Sequence, residues 1–398
     1  MNYADLVAEA NEQLSDLQVI RRKLHQIPEF ALQLPNTLKV ILSEIDGLGE
    51  VTLGKSLTSA VLLIKGGQPG PTVLLRADMD ALTVVEDTGL DFASTNGLMH
   101  ACGHDLHMAI GIGAARLLKK HAAELKGDVI LWFQPGEEGH SGADVMIDEG
   151  ALLVSGQKPI AAYGIHVFSS SPLGQFNSRP GALMAAAGGM TVTFKGAGGH
   201  GSMPWLSIDP ISAMTEAMSA LQTMVTKRFD AFDPVIINIG WVRAGDSATS
   251  NVIPETASFG ATIRTFSEAH SAKVKIYTRE LLEGIASSMG LKVEIEFDSA
   301  TKVLMNTPAA IDRVEKVIGQ MFGPGRYQNM PTPIAGGEDF ASVLAEVPGA
   351  FIFLGACPPE SDFMQAATNH SNKALFDDSV LADGAALLAS LAIDTLRD

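Results

Sequence analysis

From Ser59 onward, short apolar runs alternate with stretches of helical periodicity, the pattern of strands and crossover helices in a doubly wound sheet. SAVLLIK, PTVLLRAD, DVILWFQ and AAYGIHVF are the strand candidates. Val129 to Phe133 has no polar interruption, as a parallel strand covered on both faces requires, and is expected to be central. Leu106, Ala109, Ile110, Gly113, Leu117 and Leu118 recur at intervals of three and four, laying one apolar stripe along a helix that starts near His104.

RPGALMA, around residues 179–185, reads as a linker, and the rhythm changes after it. The predicted order is strand (Gly189 to Lys195), helix (Asp209 to Arg228), two strands (Pro234 to Trp241, Thr256 to Phe266), helix (Glu268 to Ser288) and strand (Leu291 to Phe297). This is a βαββαβ, ferredoxin-like module. Asp209 followed by Pro210 is a good helix start, because the carboxylate caps free amides and proline lacks a donor that would go unused there. Ile211, Met214, Met218, Leu221 and Val225 are expected on that helix's buried face. After residue 300 helices and short strands alternate again. The prediction is an α/β protein whose doubly wound, mainly parallel sheet comes from 1–182 and 300–398, with a second domain inserted at 183–299.

The 398 residues, 46% of them hydrophobic, supply a large core and allow two or three domains, which rules out intrinsic disorder. A formal charge of −17 opposes phosphate backbones and anionic lipid, so nucleic acid and membrane are excluded as partners. The longest uncharged stretch, Pro159 to Ser178, holds two prolines, His166 and four serines and does not suit a spanning helix. The amino terminus, MNYADLVAEANEQL, has acids where a signal peptide needs basic residues, so a cytoplasmic location is expected. The two cysteines, Cys102 and Cys357, argue against a disulfide framework.

Ligands of open α/β sheets gather beyond the carboxyl ends of the strands. PTVLLRAD ends at Asp78 with Asp80 two residues on, DVILWFQ runs into Glu137 and Glu138, AAYGIHVF carries His166, and the loop MHACGHDLH precedes the helix. Carboxylate, imidazole and thiolate from separate strands thus meet one edge, which is metal-site chemistry. Cys102 and His104 sit two apart in a glycine-containing loop, near enough for one ion or two adjacent ions. Alone, Cys102 reads as a small core hydrophobe. With His104 beside it and paired glutamates downstream, ligation is favoured. Adjacent glutamates repel, and a cation resolves that cost. One then binds the ion while its neighbour accepts a proton from water. His166, inside an apolar strand, reads either as a satisfied core histidine or, by its place at the strand end, as a ligand.

Gly196, Gly198 and Gly201 match GxGxxG after a strand, but Pro204 delays helix entry to Asp209, so no helix terminus abuts the glycines and a nicotinamide site is rejected. The serine-hydrolase elbow GxSxG is also missing from the sequence.

With these residues located, the chain resembles the aminoacylase and carboxypeptidase superfamily of two-metal amidohydrolases. RRKLHQIPE, RADMDAL, MHACGHDLH, PGEEG, GIHV, GGHGSMP, NVIPE, IRTF, GGEDF and TNHS occur in that family's order and cover nearly the whole chain. The branch resembled contains hippurate hydrolase, N-acyl-amino-acid amidohydrolases and auxin-conjugate hydrolases. The resemblance implies that Cys102, His104, Glu138, His166 and His370 bind two divalent metal ions, with Cys102 bridging, and that Glu137 is the general base. It implies that Asp78 and Asp80 orient ligands. It makes 183–299 a lid that mediates a homodimer or higher oligomer, His200 an oxyanion-stabilising group, and Asn251 and Arg264 the holders of the substrate carboxylate, a task suited to the planar guanidinium. His25, His107 and Glu338 receive no role.

The implied reaction is hydrolysis of the amide of an N-acyl amino acid to a carboxylic acid and a free amino acid, an acylglutamine being one such substrate. Within the class, N-acetyldiaminopimelate deacetylase, hippurate hydrolase and dipeptidase are the rivals. From another class, a non-catalytic metal-binding relative is disfavoured by the retained Glu137. A thiolate ligand favours zinc over magnesium or calcium, with manganese, cobalt and nickel as alternatives.

Overall fold

The computed structural model describes residues 2–397. These divide into two compact units, one built from 2–183, 305–332 and 339–397, the other from 184–304 and 333–338.

The first leg of the larger unit runs α1 (Tyr3–His25), α2 (Pro35–Glu44), β1 (Glu50–Leu53), β2 (Ala60–Ile64), β3 (Gln68–Asp78), α3 (His104–Lys120), β4 (Lys126–Gln134), α4 (Gly142–Asp148), β5 (Ala161–Phe168), β6 (Phe176–Ser178) and β7 (Gly181–Met184). The smaller unit carries β8 (Ala186–Lys195), β9 (Gly199–His200), α5 (Pro210–Arg228), β10 (Val235–Ala244), β11 (Val252–Ile253), β12 (Thr256–Thr265), α6 (Glu268–Ser288) and β13 (Lys292–Phe297). The chain then passes through β14 (Leu304–Asn306), α7 (Pro308–Phe322), β15 (Tyr327–Asn329), α8 (Phe340–Glu346), β16 (Gly349–Gly355) and α9 (Val380–Thr395).

The eight-stranded sheet has the order β1-β2-β4-β3-β5-β16-β6-β15. Its central run β4-β3-β5-β16 is parallel, so these strands deliver their carboxyl ends to one edge. Asp78 pairs with Gln134 across β3 and β4, which fixes that edge in register. Apolar residues face both ways. Val73, Leu75 and Ala77 of β3 join the core under α1, α3 and α9, while α4 and α8 pack together with contacts to β4 and β5. That covering on both faces accounts for the unbroken apolar run of Val129–Phe133.

Two expectations shift here. α3 is buried from His104 to Leu118 save at Arg116, not along one stripe, because α1 and α9 both lie against it. Residues 181–184 of the expected linker form β7.

In the smaller unit, the antiparallel order β10-β12-β8-β13 with α5 and α6 packed on it is the βαββαβ arrangement. Asp209 caps α5 by accepting from the Ile211 N–H at 2.9 Å, with Pro210 in the first turn. The buried face of α5 is rotated from expectation. Ala213, Met214, Ala217, Leu221 and Met224 are buried, Met218 and Val225 are partly so, and Ile211 is exposed.

Candidate metal centre

Loops leaving β3, β4 and β5, together with residues 101–104 and 367–371, meet at one edge of the larger unit's sheet. Gly103 precedes α3 with φ +86°, and a Cβ there would lie 2.4 Å from Val167 Cγ2. Glycine is therefore needed twice over, for its backbone angle and for the close approach that brings Cys102 toward the end of β5.

Cys102 is buried, with Sγ 3.4 Å from His166 Nε2 and 3.2 Å from His370 Nε2. His104 opens α3, and its Nδ1–H donates to the Asp80 carbonyl at 2.8 Å. His166 Nδ1–H donates to the Val167 carbonyl at 2.9 Å. Carbonyls only accept, so both imidazoles spend Nδ1–H on the backbone and turn Nε2 toward the centre, where His166 Nε2 meets the Cys102 thiol. His104 Nε2 is buried and makes no hydrogen bond. Glu138 Oε1 is likewise buried and unbonded, lying 3.2 Å from His370 Nε2 without hydrogen-bonding alignment.

Asp80 aims the glutamate loop. Its carboxylate accepts the Glu137 N–H at 2.9 Å and the Glu138 N–H at 3.0 Å. Asp78 accepts from Arg76 at 2.5 Å and from His107 Nδ1–H at 2.6 Å, and Arg76 also reaches Asp339 at 3.0 Å and Gln134 at 3.0 Å. His107, left without a role by the sequence, uses both nitrogens, since its Nε2 accepts the Val167 N–H at 2.9 Å. It braces the end of β3 against the end of β5. The spacing HDLH, three residues on from His104 and hence on the same helical side, was the available signal.

Electrostatics at the centre favour a cation. Burial, reinforced by Glu138, Glu137 and Asp78, pushes the Cys102 thiol well above its ordinary range. Burial raises Asp80 to about 6. Burial opposes a charge on His104, yet Asp78, Asp80 and Glu138 outweigh it and raise that imidazole. His166 is pushed well down, by burial first and then by His107. Among the described residues, two of the donor groups share Cys102. Cys102, His104 and His166 form one and Cys102, Glu138 and His370 the other, each with ligand atoms within 4.8 Å of one another. His104, Glu137 and Glu138 form a further such group. An orphaned imidazole nitrogen, an orphaned carboxylate oxygen and a soft thiol are the donor set that a pair of divalent cations would satisfy.

His200, Asn251 and Arg264 belong to the smaller unit. His200 is exposed on β9, which pairs with β11, and its Nδ1 accepts the Ser202 N–H at 3.2 Å, so its Nε2 carries the proton and is a donor. The carbonyl of Asn251 accepts the Gly201 N–H at 2.7 Å, while its side chain is exposed. Arg264 on β12 donates through Nε to Ala335 and through Nη1 to Gly188 and Ile263 carbonyls, at 3.0, 3.2 and 2.9 Å, which holds the guanidinium plane steady.

The sequence profile described as Peptidase family M20/M25/M40 matches residues 74–394. Thermostable carboxypeptidase 1 of Saccharolobus solfataricus is 37% identical over 380 residues, 94% of each chain. N-acetylcysteine deacetylase of Bacillus subtilis is 34% identical, covering 95% of this chain and 96% of its own. A solved Bacillus subtilis structure, a dinuclear metal binding peptidase from the M20 family, superposes with a TM-score of 0.81 at 32% identity over 96% of this chain and 98% of its own.

Proposed function

Because the chain belongs to peptidase family M20/M25/M40, we propose that it is a two-metal amidohydrolase that cleaves the amide of N-acyl amino acids to a carboxylic acid and a free amino acid. The carrying observation is the pair of donor groups that share Cys102, with His104 and His166 both anchored through Nδ1 and turning Nε2 to the centre. In this reading Cys102, His104, Glu138, His166 and His370 hold two divalent ions, and the thiolate selects zinc over harder cations. Bound divalent cations supply Lewis acidity, which brings the pKa of water toward ~7 and polarises the amide carbonyl.

The chain's own residues do the rest. Glu137 accepts a proton from water as the water oxygen bonds to the carbonyl carbon. His200 donates its Nε2–H to the developing oxyanion. As the carbon–nitrogen bond breaks, Glu137 returns the proton to nitrogen, releasing the amine. Asp80 keeps the glutamate loop aimed through its two backbone N–H bonds. Arg264 and Asn251 take the substrate's α-carboxylate, Arg264 through Nη2, the guanidinium nitrogen not used on the three backbone carbonyls. A lid that brings a second copy against this one belongs to the same reading.

The relatives support the substrate class. A carboxypeptidase and a deacetylase of an acylated cysteine both break an amide whose nitrogen belongs to a residue with a free carboxylate. The alternatives within the class, acylglutamine and acetyldiaminopimelate among them, differ in acyl group and side chain, not in this shared element. The test is a panel of N-acetyl, N-benzoyl and dipeptide substrates, each with free or amidated carboxyl, scored for released amine with zinc-loaded and chelated protein. Activity only with metal and a free carboxyl is expected. Hydrolysis that persists after chelation would overturn the metal assignment.

A further inference from the structure

Beside the donors lies Asn369, whose side-chain amide ties its own turn to two other segments of the larger unit. Its Nδ2 donates to the Val167 carbonyl at 2.9 Å, next to His166, and to the Cys102 carbonyl at 3.2 Å, and also lies 3.9 Å from the Cys102 Sγ itself. Its Oδ1 accepts the Ser169 N–H at 3.0 Å. Ser169 Oγ is 2.7 Å from the Ala367 carbonyl and 3.0 Å from Asn369 Oδ1, and a hydroxyl has one proton to share between them. The amide's orientation is therefore fixed, because flipping it would set NH₂ against the Ser169 N–H and oxygen against two carbonyls. The next residue, His370, has φ +71°, a left-handed angle that a non-glycine residue holds only when its surroundings impose it. Those surroundings are the Asn369 bonds and the His370 N–H donated to the Ala101 carbonyl at 2.9 Å.

We propose that Asn369 is a positioning residue that sets the spacing of Cys102, His166 and His370, so that its amide governs how tightly the centre holds metal. The inference rests on the metal-site reading above. It assigns Asn369 no contact with substrate or metal. It acts through the loops it joins: without the amide, the Cys102 loop and the 367–371 turn lose their common tie to the end of β5, and the Cys102 to His370 separation is no longer held at 3.2 Å. Groups that orient ligands in this way typically change metal affinity by about 10–100-fold.

The experiment titrates metal-free full-length protein with cobalt(II), in competition with a chelator, and follows the thiolate-to-cobalt absorption band. Thermal midpoints of the metal-free proteins are recorded alongside. Asn369→Ala is expected to weaken cobalt binding by about 10–100-fold and to diminish the thiolate band, while the metal-free midpoint stays near that of wild type. Asn369→Asp keeps the acceptor for Ser169 but turns an acceptor toward two carbonyls, and is expected to show the same loss. It decides the matter if the alanine variant does not fold. Ser169→Ala, which spares the backbone N–H, should bind cobalt like wild type. Unchanged affinity and band in both Asn369 variants overturn the inference alone, as does a fall in metal-free stability with unchanged affinity of the folded protein. Wild-type protein that takes up no cobalt overturns the metal-site reading and this inference together.

Discussion

His104 and Asp105 are consecutive residues at the start of α3, both fully buried, yet they enter two clusters that balance charge differently. Asp105 accepts from Arg21 Nε at 2.7 Å and from His25 Nδ1 at 2.8 Å, and His25 Nε2 meets Glu86 at 3.1 Å. Glu86 in turn accepts the Ser94 N–H at 2.6 Å and the Thr88 hydroxyl at 2.5 Å, tying down an irregular segment. Two cations thus face two anions. Burial opposes the charge on Asp105, but Arg21 and His25 hold its carboxyl well below the usual range. Both clusters hold a buried carboxylate oxygen without a hydrogen bond, Asp105 Oδ1 in the first and Glu138 Oε1 in the second, but the His104 cluster adds the Cys102 thiol and the Glu137 carboxylate and leaves His104 Nε2 unbonded. Buried charge marks a brace where its counter-charge is part of the chain, and a centre where the counter-charge must come from outside.

The largest effect expected of the contrast is on chemistry. Glu137→Gln keeps the loop's backbone bonds to Asp80 but loses the proton acceptor, so turnover should fall by roughly 10²–10⁴-fold at unchanged metal content. Steady-state amine release and metal analysis check it together. Near-normal turnover would move the base elsewhere.

Next in size is a pair of substitutions that should separate the clusters. Asp105→Asn leaves Arg21 buried beside a neutral amide and should cost about 3–5 kcal/mol of metal-free stability, with two metal ions still bound. Cys102→Ala should do the reverse, abolishing the shared donor and lowering metal content while changing metal-free stability by about 1 kcal/mol, the scale of one small buried group. Urea midpoints and metal stoichiometry of both variants measure this. If Asp105→Asn loses metal while keeping its stability, the division between brace and centre is wrong.

Much of this was legible because apolar runs and strand ends are local signals. PTVLLRAD and DVILWFQ announced β3 and β4, and the carboxyl-end rule led to Asp78, Glu137, Glu138 and the Cys102 loop, which lie together in the larger unit. GAFIFLG carried the same kind of signal for β16, buried throughout and paired with β5, but it was not read as a strand. What stayed hidden depends on distant partners. The all-round burial of α3 requires α9, more than 250 residues later in the chain. Asn369 acquires its meaning only when residues 102, 167 and 169 fold around it. His25 looked like a motif residue without a task until Asp105 and Glu86 closed on it.

The smallest effect tests the brace by proton linkage. Burial opposes a charge on His25, but Asp105 and Glu86 prevail and raise it to about 9 from the ordinary 6.5. A raised folded-state value means that the proton favours the fold. Its contribution is complete below the unfolded value near pH 6.5, shrinks as pH climbs, and is gone once pH has passed through about 9. The full contribution is about 3 kcal/mol, at one pKa unit to ~1.4 kcal/mol. Metal-free wild type should therefore lose stability between pH 6.5 and 9, and His25→Gln should start lower and lose less across that window. Urea midpoints of the two proteins at several pH values supply the comparison. Parallel slopes would mean that the Asp105 cluster does not carry its own counter-charge, and the distinction from the His104 cluster would have to be sought in solvent access instead.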